Sequence, residues 1–229
     1  MLLLCYIYLY SFLSLCKLYY TYIQTSHYQS LNEAITATQS KTKKLDGIII
    51  STPTPTHASL ITIAAKAGIS IFTEKPIDET ALKVRDLYKV TNDCGVKLCC
   101  GFQRRFDPSY LELYNQINNP TEDEEGRGIG VPLTASIFFG DHPIPTRTFL
   151  LQGGGNIISD CSAHDVDYIR WILKDEVVSV YATGTSSDDE LKENGVIDNA
   201  TMIMKFSKGT SCYMLVIDII HPFAILTYH

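Results

Sequence analysis

The sequence predicts an α/β unit built on a parallel sheet, followed by an α+β unit whose sheet is mixed or antiparallel. Three observations predict it. From about residue 30 the chain alternates short apolar runs with helix-length amphipathic segments, the β-α-β-α-β order of a parallel sheet. Past residue 131 the strand candidates are longer and partly alternating, as in antiparallel sheets. Between the two, "NPTEDEEGRGIG" is an acidic, glycine-rich loop, which sets the boundary near residues 119–131.

The elements follow in order. "LNEAITATQ" is a short helix candidate. "DGIIIST" opens at Gly47 and is continuously apolar, as a strand buried on both faces must be. "PTPTHASLITIAAKAG" reads as a Pro/Thr turn, Thr56 as N-cap, a helix, and Gly68 as its stop. "ISIFT" is a second strand. Residues 79–91 form a helix with Val84, Leu87 and Val90 on one side. "VKLCCG" is a third strand, with Cys99 and Cys100 on opposite faces. "PSYLELYNQI" is a helix and "LTASIFFG" a strand. Residues 157–173 make a further helix, and "EVVSVYATG", "NATMIMKF" and "TSCYMLVID" are strands. There is no internal repeat.

Composition narrows the function classes. Hydrophobic residues make up 45% and charged residues 19% of 229, enough to bury a core. The net charge of −6 argues against a nucleic-acid partner, because phosphate binding needs clustered Lys and Arg. Lys41, Lys43 and Lys44 form the densest basic run and read as a solvated helix end or loop. Seven cysteines, an odd number with no C-x-x-C pair, are expected to be reduced and not to ligate metal, which suits a cytoplasmic chain.

The first 23 residues, "MLLLCYIYLYSFLSLCKLYYTYI", stand apart. Residues 2–16 carry no charge, too short a run for a full span, and neither a basic start nor a small-residue cleavage site flanks them. Three readings compete: an anchor, a signal, or sequence foreign to the domain behind it. The third is favoured, so a membrane role is not expected.

The segment "GGGNIISDCSAHDVDYIRW" carries the densest chemistry. On a wheel of about 100° per residue, Asp160, His164, Asp167 and Trp171 fall within roughly 60°, with Ile158, Val166, Ile169 and Leu173 opposite. Two carboxylates flanking an imidazole favour its protonated form, and one of them fixes its tautomer. That face is either a solvated surface or a proton-handling site. Gly153–Gly155 let backbone approach a ligand, or form a plain turn. "TPTPTHA" and "FTEKP" each end a strand, where ligands bind in open parallel sheets. Hydroxyls of Thr52, Thr54 and Thr56 are placed there for a ribose or phosphate, or simply cap the helix. Pro76 restricts Lys75 to extended geometry and admits a cis bond.

Together, "TPTPTHA", "EKP", "GFQRRFDPSY" and the G-G-x-x-x-x-D-x-x-x-H-D-x-D pattern resemble the glucose–fructose oxidoreductase/inositol dehydrogenase (Gfo/Idh/MocA) family over residues 27–218. The arginine pair of "GFQRRFD" brings the inositol 2-dehydrogenases closest. The resemblance implies a partial Rossmann-like parallel sheet with its leading strands missing, then the mixed sheet. It implies hydride transfer between NAD (or NADP) and a hydroxyl of a cyclic polyol or sugar, myo-inositol first. It implies cofactor contacts from Thr52, Pro53, Thr54, His57, Glu74 and Lys75. Lys75 also meets the reacting hydroxyl, Asp160 holds the substrate, His164 is the general base, and Asp167 orients His164. Arg104 and Asp141 are further substrate-contact candidates, and a homo-oligomer is implied for the intact family member. No G-x-G-x-x-G follows a strand anywhere, and the last strand runs into "IIHPFAILTYH". Both ends therefore read as cut. The expected organisation is residues 1–25 as an apolar Tyr-rich leader, 26–120 as the second half of a dinucleotide-binding domain, and 121–229 as a truncated substrate-binding domain. The missing glycine loop keeps a second reading open: an inactive relative that binds a sugar-like ligand or a protein partner.

Overall fold

A computed structural model describes residues 2–5, 28–39, 45–119, 129–140, 145–151 and 157–217. The chain forms two compact units, Met1–Gly101 and Phe102–His229. The first holds β1 (Leu2–Cys5), α1 (Leu31–Gln39), β2 (Gly47–Ile50), a 3-10 turn (Thr54–Thr56), α2 (His57–Lys66), β3 (Ser70–Thr73), α3 (Ala81–Asp93) and β4 (Leu98–Cys100). Its sheet is wholly parallel in the order β1-β2-β3-β4.

Ile48 and Ile50 of β2 and Ile71 of β3 are buried with Ile61, Ala64 and Ala65 of α2. The small alanines let α2 lie close to the sheet, and each buried isoleucine contributes about 1.5–3 kcal/mol. Gly68 ends α2 as expected: at φ +71° its N–H donates to Ala65 O (2.9 Å), and the Ile69 N–H donates to Ala64 O (3.0 Å). These two bonds close a Schellman motif, whose left-handed residue is glycine because a Cβ is strained there.

Thr56 departs from its expected capping role. Its hydroxyl donates to Pro53 O at 2.7 Å and so closes the 3-10 turn, with no cap bond to α2. Leu2–Cys5 also departs from the sequence reading, which gave the leader no strand. These four residues pair one to one with Gly47–Ile50 in parallel. An unbroken apolar run carries no periodicity that separates a strand from an anchor or a signal core. Residues 6–27 lie outside the described residues.

The second unit holds a 3-10 turn (Gln103–Phe106), α4 (Pro108–Asn118), β5 (Thr134–Gly140), α5 (Arg147–Leu151), a π-helical turn (Ile157–Cys161), α6 (Ser162–Leu173), β6 (Val177–Thr185), α7 (Asp189–Glu193), β7 (Asn199–Phe206) and β8 (Ser211–Ile217). The sheet order is β5-β8-β7-β6, with β5 parallel to β8 and the other pairs antiparallel. It is therefore mixed, as expected. The loop position in sequence suggested that α4 closes the first unit; it instead packs on α6 in the second.

β7 and β8 alternate along most of their length, with Ile217 buried beside Val216 at the end of β8. Met202, Met204, Phe206, Cys212, Met214 and Val216 are buried on the inner face, with Ile157, Tyr168, Ile169 and Ile172 in the same core. The outer face leaves Tyr181, Ile203 and Tyr213 exposed in one cross-strand row. Among the described residues, no helix is long and apolar enough to cross a membrane.

Candidate active site

Two groups of side chains carry the chemistry, one in each unit. In the first unit they stand at the carboxyl ends of β2 and β3. Thr56 gives its proton to Pro53 O, so the Thr52 hydroxyl donates to Thr56 Oγ1 at 2.6 Å and the pair can still accept from a further partner. Pro53 is exposed, and Thr52 and Thr54 are half-buried. Past β3, the Glu74 N–H donates to Ile50 O (2.9 Å), its side chain lies exposed, and Lys75 is half-buried before a cis Lys75–Pro76 bond. His57 is different: it is 1% exposed, with Nε2 2.7 Å from Thr52 O and Nδ1 2.9 Å from Pro76 O. Both ring nitrogens are occupied by backbone, so His57 offers neither to a ligand.

These residues fit part of a dinucleotide. A threonine-lined turn at a helix start and a lysine on the neighbouring strand end supply hydroxyls, amides and one cation at the crevice edge of a parallel sheet. They fit the ribose and nicotinamide end. The glycine loop that receives a pyrophosphate has no counterpart in the 229 residues.

In the second unit the site is built on α6. Asp107 caps α4 by accepting from Ser109 N–H (2.9 Å), and Pro108 starts the helix. α4 then docks through Tyr110 on Tyr168 (4.6 Å between centroids) and Tyr114 stacked on Trp171 (4.3 Å). This docking brings the turn before α4 to the start of α6. Arg105 there donates to both Asp167 oxygens, Nε to Oδ2 at 2.8 Å and Nη2 to Oδ1 at 2.6 Å. Arg104 Nη1 donates to Asp165 Oδ1, and its guanidinium lies over the rings of Phe139 (5.1 Å) and Tyr168 (5.8 Å). Two successive arginines thus hold two acids spaced two apart. A bidentate pair is the stronger and more directional of the two.

His164 immediately precedes Asp165 on the same helix and is 8% exposed, with Phe102 edge-on at 6.0 Å. Asp165 is 1% exposed and Asp167 7%. Burial raises the Asp165 carboxyl above its usual range and outweighs the attraction and hydrogen bond of Arg104. Beneath it, burial and the Asp165 charge push the Cys212 thiol up to about 11, and burial raises Tyr168. Both are held as neutral packing groups.

The sequence reading and the structure differ in three places. Asp167, which the resemblance gives to His164, has Arg105 as its bidentate partner. Arg104 was assigned to substrate, and it holds Asp165. The 157–173 helix is not uniformly α-helical: Ile157–Cys161 form a π turn, closed by Ser162 Oγ donating to Ile157 O (3.1 Å). The wider turn shifts the wheel's phase, leaving Ile158 36% exposed and Ile157 fully buried. Asp160 in this turn is half-buried. Lys75 belongs to the first unit and Asp160, His164 and Asp167 to the second. Asp141 and Gly153–Gly155 lie outside the described residues. Sequence reasoning missed Arg105 and Asp165, whose partners lie 62 and 61 residues away in the chain.

Two family models match the chain. The oxidoreductase family with an NAD-binding Rossmann fold matches residues 20–102, and the GFO/IDH/MocA C-terminal domain matches residues 125–221. The chain is 38% identical to inositol 2-dehydrogenase of Rhizobium meliloti (strain 1021) over 166 residues, 72% of this chain and 48% of that protein. It is 33% identical to scyllo-inositol 2-dehydrogenase (NAD(+)) of Bacillus subtilis (strain 168) over 168 residues, 73% of this chain and 47% of that protein. Apo scyllo-inositol dehydrogenase from Lactobacillus casei superposes with a TM-score of 0.64 at 25% identity, covering 75% of this chain and 49% of that one. The chain spans about half the length of the curated relatives it matches. With both family domains matched in order around the α6 and strand-end motifs, the chain belongs to the Gfo/Idh/MocA oxidoreductase family.

Proposed function

We propose that the chain transfers hydride between NAD (or NADP) and a hydroxyl of a cyclic polyol or sugar, myo-inositol first, in the cytoplasm. One observation carries the reading: His164 is buried on a helix whose neighbouring acids are both held by arginines. That leaves one imidazole in a charge-balanced, water-poor setting, which is what a general base for an alcohol needs. The relatives' names support the substrate class.

The bound nicotinamide supplies the hydride acceptor. Thr52, Pro53, Thr54, Glu74 and Lys75 hold it. Asp160 accepts a hydrogen bond from a substrate hydroxyl. His164 takes the proton of the reacting hydroxyl at a ring nitrogen as the carbon's hydrogen leaves with its electron pair. Lys75 donates to that oxygen and balances the charge that develops on it. Atoms balance as alcohol plus NAD⁺ giving ketone, NADH and one proton. Absorbance of NADH formed from myo-inositol tests the reading; no NADH formation at saturating substrates counts against it. The absence of G-x-G-x-x-G favours one other reading, a relative that binds a sugar-like ligand without hydride transfer. Binding of myo-inositol with no reduction of NAD selects it.

The same reading includes a homo-oligomer, with a second copy over the outer face of the second sheet. Phe138 (59%), Tyr181 (68%), Ile203 (50%) and Tyr213 (43%) are exposed there, and such a patch favours burial against its own kind. Light scattering is expected to give a multiple of 25.6 kDa, reduced to the monomer in Tyr181→Asp. A wild-type monomer at micromolar concentration contradicts the assembly.

A further inference from the structure

We propose that His57 is a positioning residue for the nucleotide site, tying the loop after β2 to the loop after β3; this rests on the dehydrogenase reading above. The two loops leave neighbouring parallel strands. Past the bond from Glu74 N–H to Ile50 O, their chains depart from the sheet. His57, the first residue of α2, spans them. Its Nε2 lies 2.7 Å from Thr52 O, five residues earlier, and its Nδ1 lies 2.9 Å from Pro76 O, nineteen residues later.

Each carbonyl belongs to, or adjoins, a residue of the proposed cofactor surface. Thr52 carries one of its hydroxyls, and Lys75 immediately precedes Pro76. Both partners are acceptors, so each neutral tautomer donates its single N–H to one carbonyl while the ring packs against the other, and its 1% exposure keeps water from competing for that bond. A buried histidine that serves packing alone can satisfy its two nitrogens with any groups at hand. This one takes backbone from both ligand-bearing loops, which sets where Thr52 and Lys75 stand relative to each other. A shift of about 1 Å in such placement is enough to weaken binding or turnover.

The test combines NADH titration by fluorescence with amide hydrogen exchange on the full chain, in wild type, His57→Ala, His57→Gln and, as control, the exposed Lys66→Ala on the same helix. His57→Ala is expected to speed exchange at the Lys75 and Ile77 amides. It is also expected to weaken NADH binding about ten-fold or more, the worth of one lost hydrogen bond. His57→Gln keeps one N–H and recovers part of both losses, and Lys66→Ala matches wild type. Wild-type exchange in His57→Ala, or faster exchange with unchanged NADH affinity, overturns the inference. If His57→Ala loses its far-UV helix signal, His57→Gln alone decides by the same two criteria. A wild-type chain that binds no NADH overturns the dehydrogenase reading. In that case the exchange arm still decides whether His57 joins the loops.

Discussion

Under the proposed function, turnover of myo-inositol with NAD is expected to fall about 10²-fold or more in His164→Ala, the usual worth of a positioned general base. Removal of the alcohol proton then depends on bulk water, which is a poor base at neutral pH and has little access to a site 8% exposed. Binding of myo-inositol changes far less, because Asp160 and not His164 is proposed to hold the ground-state hydroxyls. The loss therefore lies in kcat and kcat/KM together, the mark of a contact made in the transition state. His164→Gln keeps the side chain's size and hydrogen bonding while removing its basicity, and separates a folding defect from a chemical one. Full turnover in either variant removes the base assignment.

The second large effect is on the arginine latch. Arg105→Ala strands the Asp167 carboxylate, 7% exposed, without its bidentate partner. Breaking a fully buried pair costs about 3–5 kcal/mol. Arg105 is 40% exposed at its side chain, so water partly replaces it and the cost falls below that range. Thermal denaturation is expected to show a clear drop in Tm for Arg105→Ala. Most of that drop returns in the double variant Arg105→Ala/Asp167→Asn, because removing both charges removes the stranded ion. Additive losses in the double variant contradict the latch. The same geometry predicts that Asp167→Asn acts on stability and on α4–α6 docking more than on the pH profile of turnover. An i+3 pairing of Asp167 with His164 gives the opposite emphasis.

Local signals carried most of the fold. The apolar run at Gly47–Ile50, the helix ending at Gly68, and the alternation of β7 and β8 are each written in residues next to one another in sequence. The acids and the histidine of α6 were legible as a cluster for the same reason. Their partners were not. Arg104 and Arg105 meet Asp165 and Asp167 across 61 and 62 residues, and His57 meets Pro76 across 19, contacts that only packing decides. A wheel fixed at one period also misses the π turn at Ile157–Cys161, since it assumes the turn width it sets out to find. The short helices α5 and α7 gave no periodic signal at five residues each. Asp188 nonetheless caps α7 by accepting from Leu191 N–H at 3.0 Å.

The proposed function requires that carbon-bound hydrogen of a polyol pass directly to a nicotinamide on this chain. Incubation with NAD and myo-inositol deuterated at every ring carbon, followed by mass spectrometry of the nucleotide, tests it most directly. Direct transfer predicts NADH carrying one deuterium, at a rate slowed relative to unlabelled inositol if the transfer limits turnover. Unlabelled NADH, or none above a protein-free control, contradicts it.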